Sequence, residues 1–157
     1  MKEYKIAVIP GDGIGPEVME ESMRLLDHNA RKDRGFSFSF TTFPWGCTYY
    51  LEKGEMMPKD GLDILKEYDA ILLGAVGFPG VPDHISLREL LLEIRHGFDQ
   101  YINLRPVKLL RGASCPLADV KPEDIDMIFV RENTEGEYSG SGAWLYPNSP
   151  QEVVIQD

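Results

Sequence analysis

Cysteine is scarce: Cys47 and Cys115 are the two in 157 residues, far apart and in no metal-binding or redox spacing. That excludes a disulfide-stapled scaffold and a cysteine-built zinc site, and a reducing compartment, the cytoplasm, is the simplest reading. Long apolar runs are missing, so no segment reads as a membrane span. The N-terminus, Met1-Lys2-Glu3-Tyr4, enters strand-like sequence at once and shows no signal-peptide pattern. Basic charge is short as well: 16 Lys and Arg stand against 26 Asp and Glu, for a formal net charge of −10. This balance argues against nucleic acid or an anionic membrane as the main partner. Internal repeats and low-complexity stretches are absent. What remains is an ordinary globular composition, and a domain of this length buries about 70% of its unfolded surface.

The pattern along the chain predicts an α/β fold. Tyr4 to Ile9 reads as a mostly buried strand, and Pro10 to Gly15 breaks it with three glycines. Pro16 suits the first turn of a helix, and Val18, Met19, Ser22, Met23, Leu25 and Leu26 fit one face of it. The glycine run is Gly-x-Gly-x-Gly, which fits either a tight strand-to-helix turn or a phosphate cradle. Phe36 to Phe43 alternates like a strand, with Trp45 and Tyr49 beyond it as packing residues. A short helix is expected from Asp60, as its cap, to about Tyr68. Asp69 to Val76 reads as a strand covered on both faces. Strand, helix, strand, helix, strand at this spacing implies a parallel sheet.

After the rigid loop 77–84, Ser86-Leu87-Arg88-Glu89 reads as a capping box. Leu87, Leu90, Leu91, Ile94 and Phe98 form an apolar stripe at helical spacing, and Arg88, Leu92 and Arg95 a second one. Gln100 to Leu110 and Ile125 to Val130 read as strands, the latter delivering Arg131 at its end. Ligands in α/β sheets tend to bind beyond such strand ends. Glu137 to Tyr146 fits a hairpin or extended arm, and Glu152 to Gln156 begins a further strand. An ending inside strand-like sequence is what a truncated chain would show.

Between the last two groups lies Ile94-Arg95-His96-Gly97-Phe98-Asp99-Gln100-Tyr101-Ile102-Asn103-Leu104-Arg105-Pro106. Its two arginines flank a turn signal, one closing a helix and one in a strand. A guanidinium is always charged and offers a planar fork that fits a carboxylate. Two of them converging would suit a substrate with more than one carboxylate. The alternative is that each pairs with a surface Asp or Glu.

Arg-x3-Asp-x-Tyr-x-Asn-Leu-Arg-Pro resembles the core signature of the β-decarboxylating dehydrogenases, the family of the isocitrate, 3-isopropylmalate, homoisocitrate and tartrate/D-malate enzymes. Two further stretches resemble that family in the same order: Gly11-Asp12-Gly13-Ile14-Gly15-Pro16-Glu17 and Val130-Arg131-Glu132-Asn133-Thr134-Glu135-Gly136-Glu137-Tyr138. The resemblance runs through the whole chain and covers about the first half of such an enzyme. It implies an isopropylmalate dehydrogenase-like fold, incomplete here. A largely parallel sheet flanked by helices would occupy 1–99, as the first half of a split larger domain. Residues 100–157 would start a second α/β domain for substrate and dimerisation.

The resemblance also implies a chemistry. A 2-hydroxy acid is oxidised with NAD, and the product loses carbon dioxide with help from Mg2+ or Mn2+ as a Lewis acid. An acid then protonates the enolate. Arg95, Arg105 and Arg131 match the arginines that hold substrate carboxylates, and Tyr138 matches the proton donor. No counterpart motif appears for the catalytic lysine, the metal-binding aspartates or the main adenine loop. No metal ligand is therefore expected in this chain, its cofactor-binding residues are left unassigned, and the chain alone is expected to be inactive. A homodimer is expected for the full-length enzyme. The flanks Val81-Pro82-Asp83-His84-Ile85-Ser86-Leu87 and Phe98-Asp99-Gln100-Tyr101 are most similar to the tartrate/D-malate group. Arg88 departs from that group, where an aromatic is expected. Leu91 and Leu92 keep 3-isopropylmalate as the alternative substrate, and a non-catalytic remnant or interaction module is the alternative of another class.

Overall fold

A computed structural model describes residues 2–156. The chain divides into two compact units, Met1–Ile94 and Arg95–Asp157.

The first unit is built on strand β1 (Lys2–Gly11), helix α1 (Gly15–Asp33), strand β2 (Phe36–Thr42), helices α2 (Cys47–Lys53) and α3 (Gly61–Leu65) and strand β3 (Ala70–Ala75). Helix α4 (Asp83–Ser86) follows and runs into a π-helical segment, Leu87–Leu92. The three strands form a parallel sheet in the order β2-β1-β3, with Ile6 opposite both Phe40 and Ala70. A central β1 explains why Ile6 to Ile9 are buried while the strand's first residues are not. Ile6, Val8 and Met19 are the buried centre, packed by Tyr4, Met23, Phe38, Phe40 and Leu72. Each such aliphatic side chain contributes roughly 1.5–3 kcal/mol when fully withdrawn from water.

Several expectations are corrected. The core face of α1 is narrower than the predicted stripe: Met19 and Ala30 are buried, whereas Val18 and Leu25 are exposed. Strand β3 is half-buried rather than covered on both faces. Asp60 precedes α3 without a side-chain capping bond. The capping box is not formed, because the helix begins earlier, at Asp83 behind Pro82. Ser86 is therefore already inside it, and its hydroxyl donates back to the Asp83 carbonyl at 3.4 Å. The π-helical segment then breaks the predicted apolar stripe: Leu90 and Ile94 are buried while Leu87 is exposed.

The helix α2 has no obvious signal in Cys-Thr-Tyr-Tyr-Leu, and Asp12 accounts for it. Gly11, at φ +72°, turns the chain out of β1 where a Cβ would lie 2.0 Å from the Ala75 carbonyl oxygen. Asp12 follows, buried, with its carboxylate aimed at the start of α2. It accepts from the Cys47 N–H at 2.9 Å, the Thr48 N–H at 3.3 Å and the Gly77 N–H at 3.1 Å. An anion at the positive end of a short helix satisfies donors that would otherwise be orphaned. Gly46, just before α2, leaves room for it: a Cβ there would sit 3.0 Å from Asp12 Oδ1. Gly15 closes the turn by donating to the Asp12 carbonyl at 2.8 Å. The glycine run is thus a tight strand-to-helix turn whose acid ties three loops together.

The same arrangement silences Cys47. Burial, then the hydrogen bond and charge of Asp12, push its thiol up to about 12. A raised acid pKa means the folded state keeps a proton that the unfolded state releases. Stability is therefore unaffected below the ordinary thiol range near 9 and falls as pH rises from there towards 12. At pH 8 a thiol reagent should titrate Cys115, which is partly exposed, and reach Cys47 only in denaturant. Rapid native modification of both thiols would contradict this.

The second unit opens within helix α5 (Glu93–Gly97), whose last three residues it includes. Strands β4 (Ile102–Lys108) and β5 (Asp126–Glu132) pair antiparallel, Ile102 opposite Glu132 and Lys108 opposite Asp126. A 3-10 turn follows at Gly136–Tyr138. Strands β6 (Gly142–Leu145) and β7 (Val153–Gln156) form a second antiparallel pair. The hairpin therefore lies at 142–156, later than the predicted 137–146, and the last strand is its second arm. Glu152 closes its loop, accepting from Trp144 Nε1 and from the Asn148 N–H, each at 2.9 Å. Among the described residues, no helix is long and apolar enough to cross a membrane.

Candidate functional site

The second unit brings the four predicted site residues together. In β4 and β5 side chains alternate between faces. Asn103 lies opposite Arg131 and Arg105 opposite Phe129, so Arg105 and Arg131 share one face of the pair. Arg95, on the last turn of α5, is close enough to both for their charges to act on it. Its pKa is lowered, first by burial and then by Arg131, with Arg105 adding to the effect and Tyr138 opposing it. The Arg131 guanidinium carbon lies 5.1 Å from the centre of the Tyr138 ring, in cation–π contact.

Three guanidiniums in one place repel each other, and their usual remedy is a carboxylate. Among the described side chains none of the three has one in ion-pair range; the ion pairs there are Arg24–Glu21, Arg31–Asp27, Lys66–Asp63 and Lys108–Asp126. The alternative that each arginine pairs with a surface acid is therefore not what the described side chains show. Arg131 Nε is also buried, with no hydrogen-bond partner among the described residues. A concentration of unneutralised cations has chemical use where an anion arrives to balance it.

Two further residues of the motifs, Asn133 and Glu132, make contacts that the sequence pattern alone does not announce. Asn133 is buried, accepts from Arg131 Nη2 at 3.1 Å and donates to the Gln100 carbonyl at 3.2 Å. Glu132 points the other way and organises the turn that carries Tyr138. Burial pushes its carboxyl up, but hydrogen bonds from the Thr134 N–H and hydroxyl and from the Glu135 and Asn133 N–H groups outweigh this and hold it below the usual range. Spacing offered one hint: Asn133 is two residues beyond Arg131, the repeat that keeps extended neighbours on one face. Arg88, the other arginine of the helix, is exposed and belongs to the first unit.

As for a metal, among the described residues no three His, Cys, Asp or Glu side chains converge as a binding group. The donor set at the arginines is cationic and phenolic and does not suit a divalent ion on its own.

A family model described as isocitrate/isopropylmalate dehydrogenase matches residues 5–156. The chain is 53% identical over 159 residues to the D-malate dehydrogenase [decarboxylating] of Escherichia coli K12, covering 100% of this chain and 44% of that protein. It is 53% identical over 156 residues to the tartrate dehydrogenase/decarboxylase of Pseudomonas putida, covering 98% and 42%. Among solved structures, isocitrate dehydrogenase from Methylococcus capsulatus superposes with a TM-score of 0.69 at 25% identity, covering 98% of this chain and 42% of that one. The chain thus spans less than half the length of these relatives.

Proposed function

Because the chain belongs to the isocitrate/isopropylmalate dehydrogenase family, we propose that it carries the carboxylate-holding arginines and the proton donor of an NAD-dependent oxidative decarboxylase acting on tartrate or D-malate. The observation that carries this reading is the grouping of Arg95, Arg105 and Arg131 around Tyr138 with no carboxylate among the described side chains to neutralise them. The names of the relatives supply the substrate class.

In this reading the arginines fix both carboxylates of the acid as it is oxidised, so that charge is held while it redistributes. NAD, when bound, supplies the acceptor for the hydride leaving the carbinol carbon. After carbon dioxide departs, the Tyr138 hydroxyl protonates the enolate carbon. Arg131, in cation–π contact with the tyrosine ring, helps to hold that ring in place. Mg2+ or Mn2+ and a homodimer belong to the same reading and rest on the family resemblance; no described side-chain group of this chain is assigned to the metal.

The test is NADH formation by the gene's full product with NAD, Mg2+ or Mn2+ and each of D-malate, tartrate, 3-isopropylmalate and isocitrate. Fastest turnover of D-malate or tartrate is expected. Faster 3-isopropylmalate would move the substrate to the bulkier acid. No turnover and no dicarboxylate binding would leave a non-catalytic module. Within the same assay Arg105→Lys keeps the charge and loses the planar fork. It should lower kcat/KM by about 1.5–3 kcal/mol, the range of a charge-assisted hydrogen bond. Arg105 is exposed, so stability should move by less than about 0.5 kcal/mol. Unchanged kinetics would remove Arg105 from the site.

A further inference from the structure

We propose that Asn133 is a positioning residue that sets the plane of the Arg131 guanidinium and ties it to the backbone that carries Arg95. Asn133 is 2% exposed, in a unit whose strands are mostly open to solvent. A buried amide needs partners for both its ends. Its oxygen takes the Arg131 Nη2 hydrogen and its nitrogen gives to the Gln100 carbonyl. Only this orientation of the amide satisfies both contacts, because a guanidinium cannot accept and a carbonyl cannot donate.

The Gln100 backbone is itself held on its N-terminal side, since its N–H donates to the Arg95 carbonyl at 2.8 Å. A continuous relay therefore runs from Arg131 through Asn133 and Gln100 to the last turn of α5. It holds two like charges in register without neutralising either. An Asp at this position could hold Arg131 too, but it would cancel the charge and set an anion against the Gln100 carbonyl. Asn is the residue that fixes a cation and leaves it available. With Nη2 directed to Asn133 and the guanidinium carbon over the Tyr138 ring, the remaining donors of Arg131 face a restricted set of directions. Carboxylate selection then becomes a matter of geometry as well as charge.

The inference rests on the function proposed above only in what Arg131 holds, so two readouts are used. The first needs no ligand: nitrogen-15 relaxation and Nη hydrogen exchange of the Arg131 guanidinium in the full chain. Asn133→Leu should speed rotation about the Cζ–N bonds of Arg131 and leave those of Arg105 unchanged. Asn133→Asp should restore the slow rotation. Equal rotation in wild type and Asn133→Leu would overturn the proposal, whatever the protein's substrate.

The second readout is a double-mutant cycle on succinate affinity. Asn133→Leu should weaken binding about tenfold in the wild type, within the range of coupled contacts, and hardly at all when Arg131 is already leucine. Equal losses in both backgrounds would make Asn133 merely structural and overturn the positioning role. Absence of succinate binding by the wild type would count against the proposed function, and the guanidinium measurement would still decide on Asn133. If Asn133→Leu fails to fold, Asn133→Asp serves in its place: slow rotation together with lost succinate binding supports the proposal, and free rotation or unchanged affinity overturns it.

Discussion

Asp12→Ala should destabilise the first unit by about 3–4 kcal/mol, more than an ordinary point substitution. The carboxylate has three backbone donors, the N–H groups of Cys47, Thr48 and Gly77. Removing it strands the buried Cys47 N–H where water has little access, at a cost of about 1–3 kcal/mol for a buried unsatisfied donor, and takes charge-assisted bonds from the more open Thr48 and Gly77 N–H groups. Helix α2 has only 7 residues, too few to persist unaided. The loss should therefore appear as release of α2 as well as a lower denaturation midpoint. Asp12→Asn should cost less but not be silent, because its NH2 would face donors. Trp45 is buried next to α2 and Trp144 is exposed, so tryptophan fluorescence against urea reports mainly on Trp45. Cys47 thiol reactivity gives a second signal, since the alanine variant should expose it under native conditions. A midpoint within error of wild type, with Cys47 still protected, would show that solvent or a neighbouring group replaces the carboxylate.

Asp12 also marks where local sequence stopped being informative. The strands of the parallel sheet were legible because each is a compact apolar or alternating run, and that pattern survives whatever surrounds it. Helix α2 was not, because Thr48, Tyr49 and Tyr50 are indifferent helix formers and the anion at its start comes from a residue 35 positions earlier. The start of α4 was misplaced for a related reason. Ser86-x-x-Glu89 is a sound local signal, but Pro82 begins the helix first, and a serine inside a helix can only bond backwards. The π-helical segment after it leaves no mark in side-chain type. At the arginines the balance was different. Arg95, Arg105, Arg131 and Tyr138 could be named from a motif, but their grouping depends on strand register, which fixes face and neighbour together. Asn133 stayed silent because its two contacts, with Arg131 and Gln100, exist only once β5 and the turn before β4 are in place.

The second large effect concerns Tyr138. Tyr138→Phe should lower kcat by about 10²–10⁴-fold, the usual contribution of a positioned general acid, and leave KM for D-malate or tartrate nearly unchanged. The substitution removes one oxygen and keeps the ring. Arg131 retains a face to rest on, since phenylalanine also accepts a cation, though less well than tyrosine. No hydrogen bond from the Tyr138 hydroxyl to a described residue is lost, so stability should move by less than about 1 kcal/mol. Loss confined to kcat is the signature of a group that acts in the transition state and not in substrate binding. Arg131→Leu makes the contrast. It deletes a carboxylate holder and the partner of the ring together, so it should raise KM as well as lower kcat. Steady-state kinetics of both variants beside wild type separate the two roles. If Tyr138→Phe turns over at the wild-type rate, the proton comes from elsewhere, and the tyrosine serves only as the surface on which Arg131 lies.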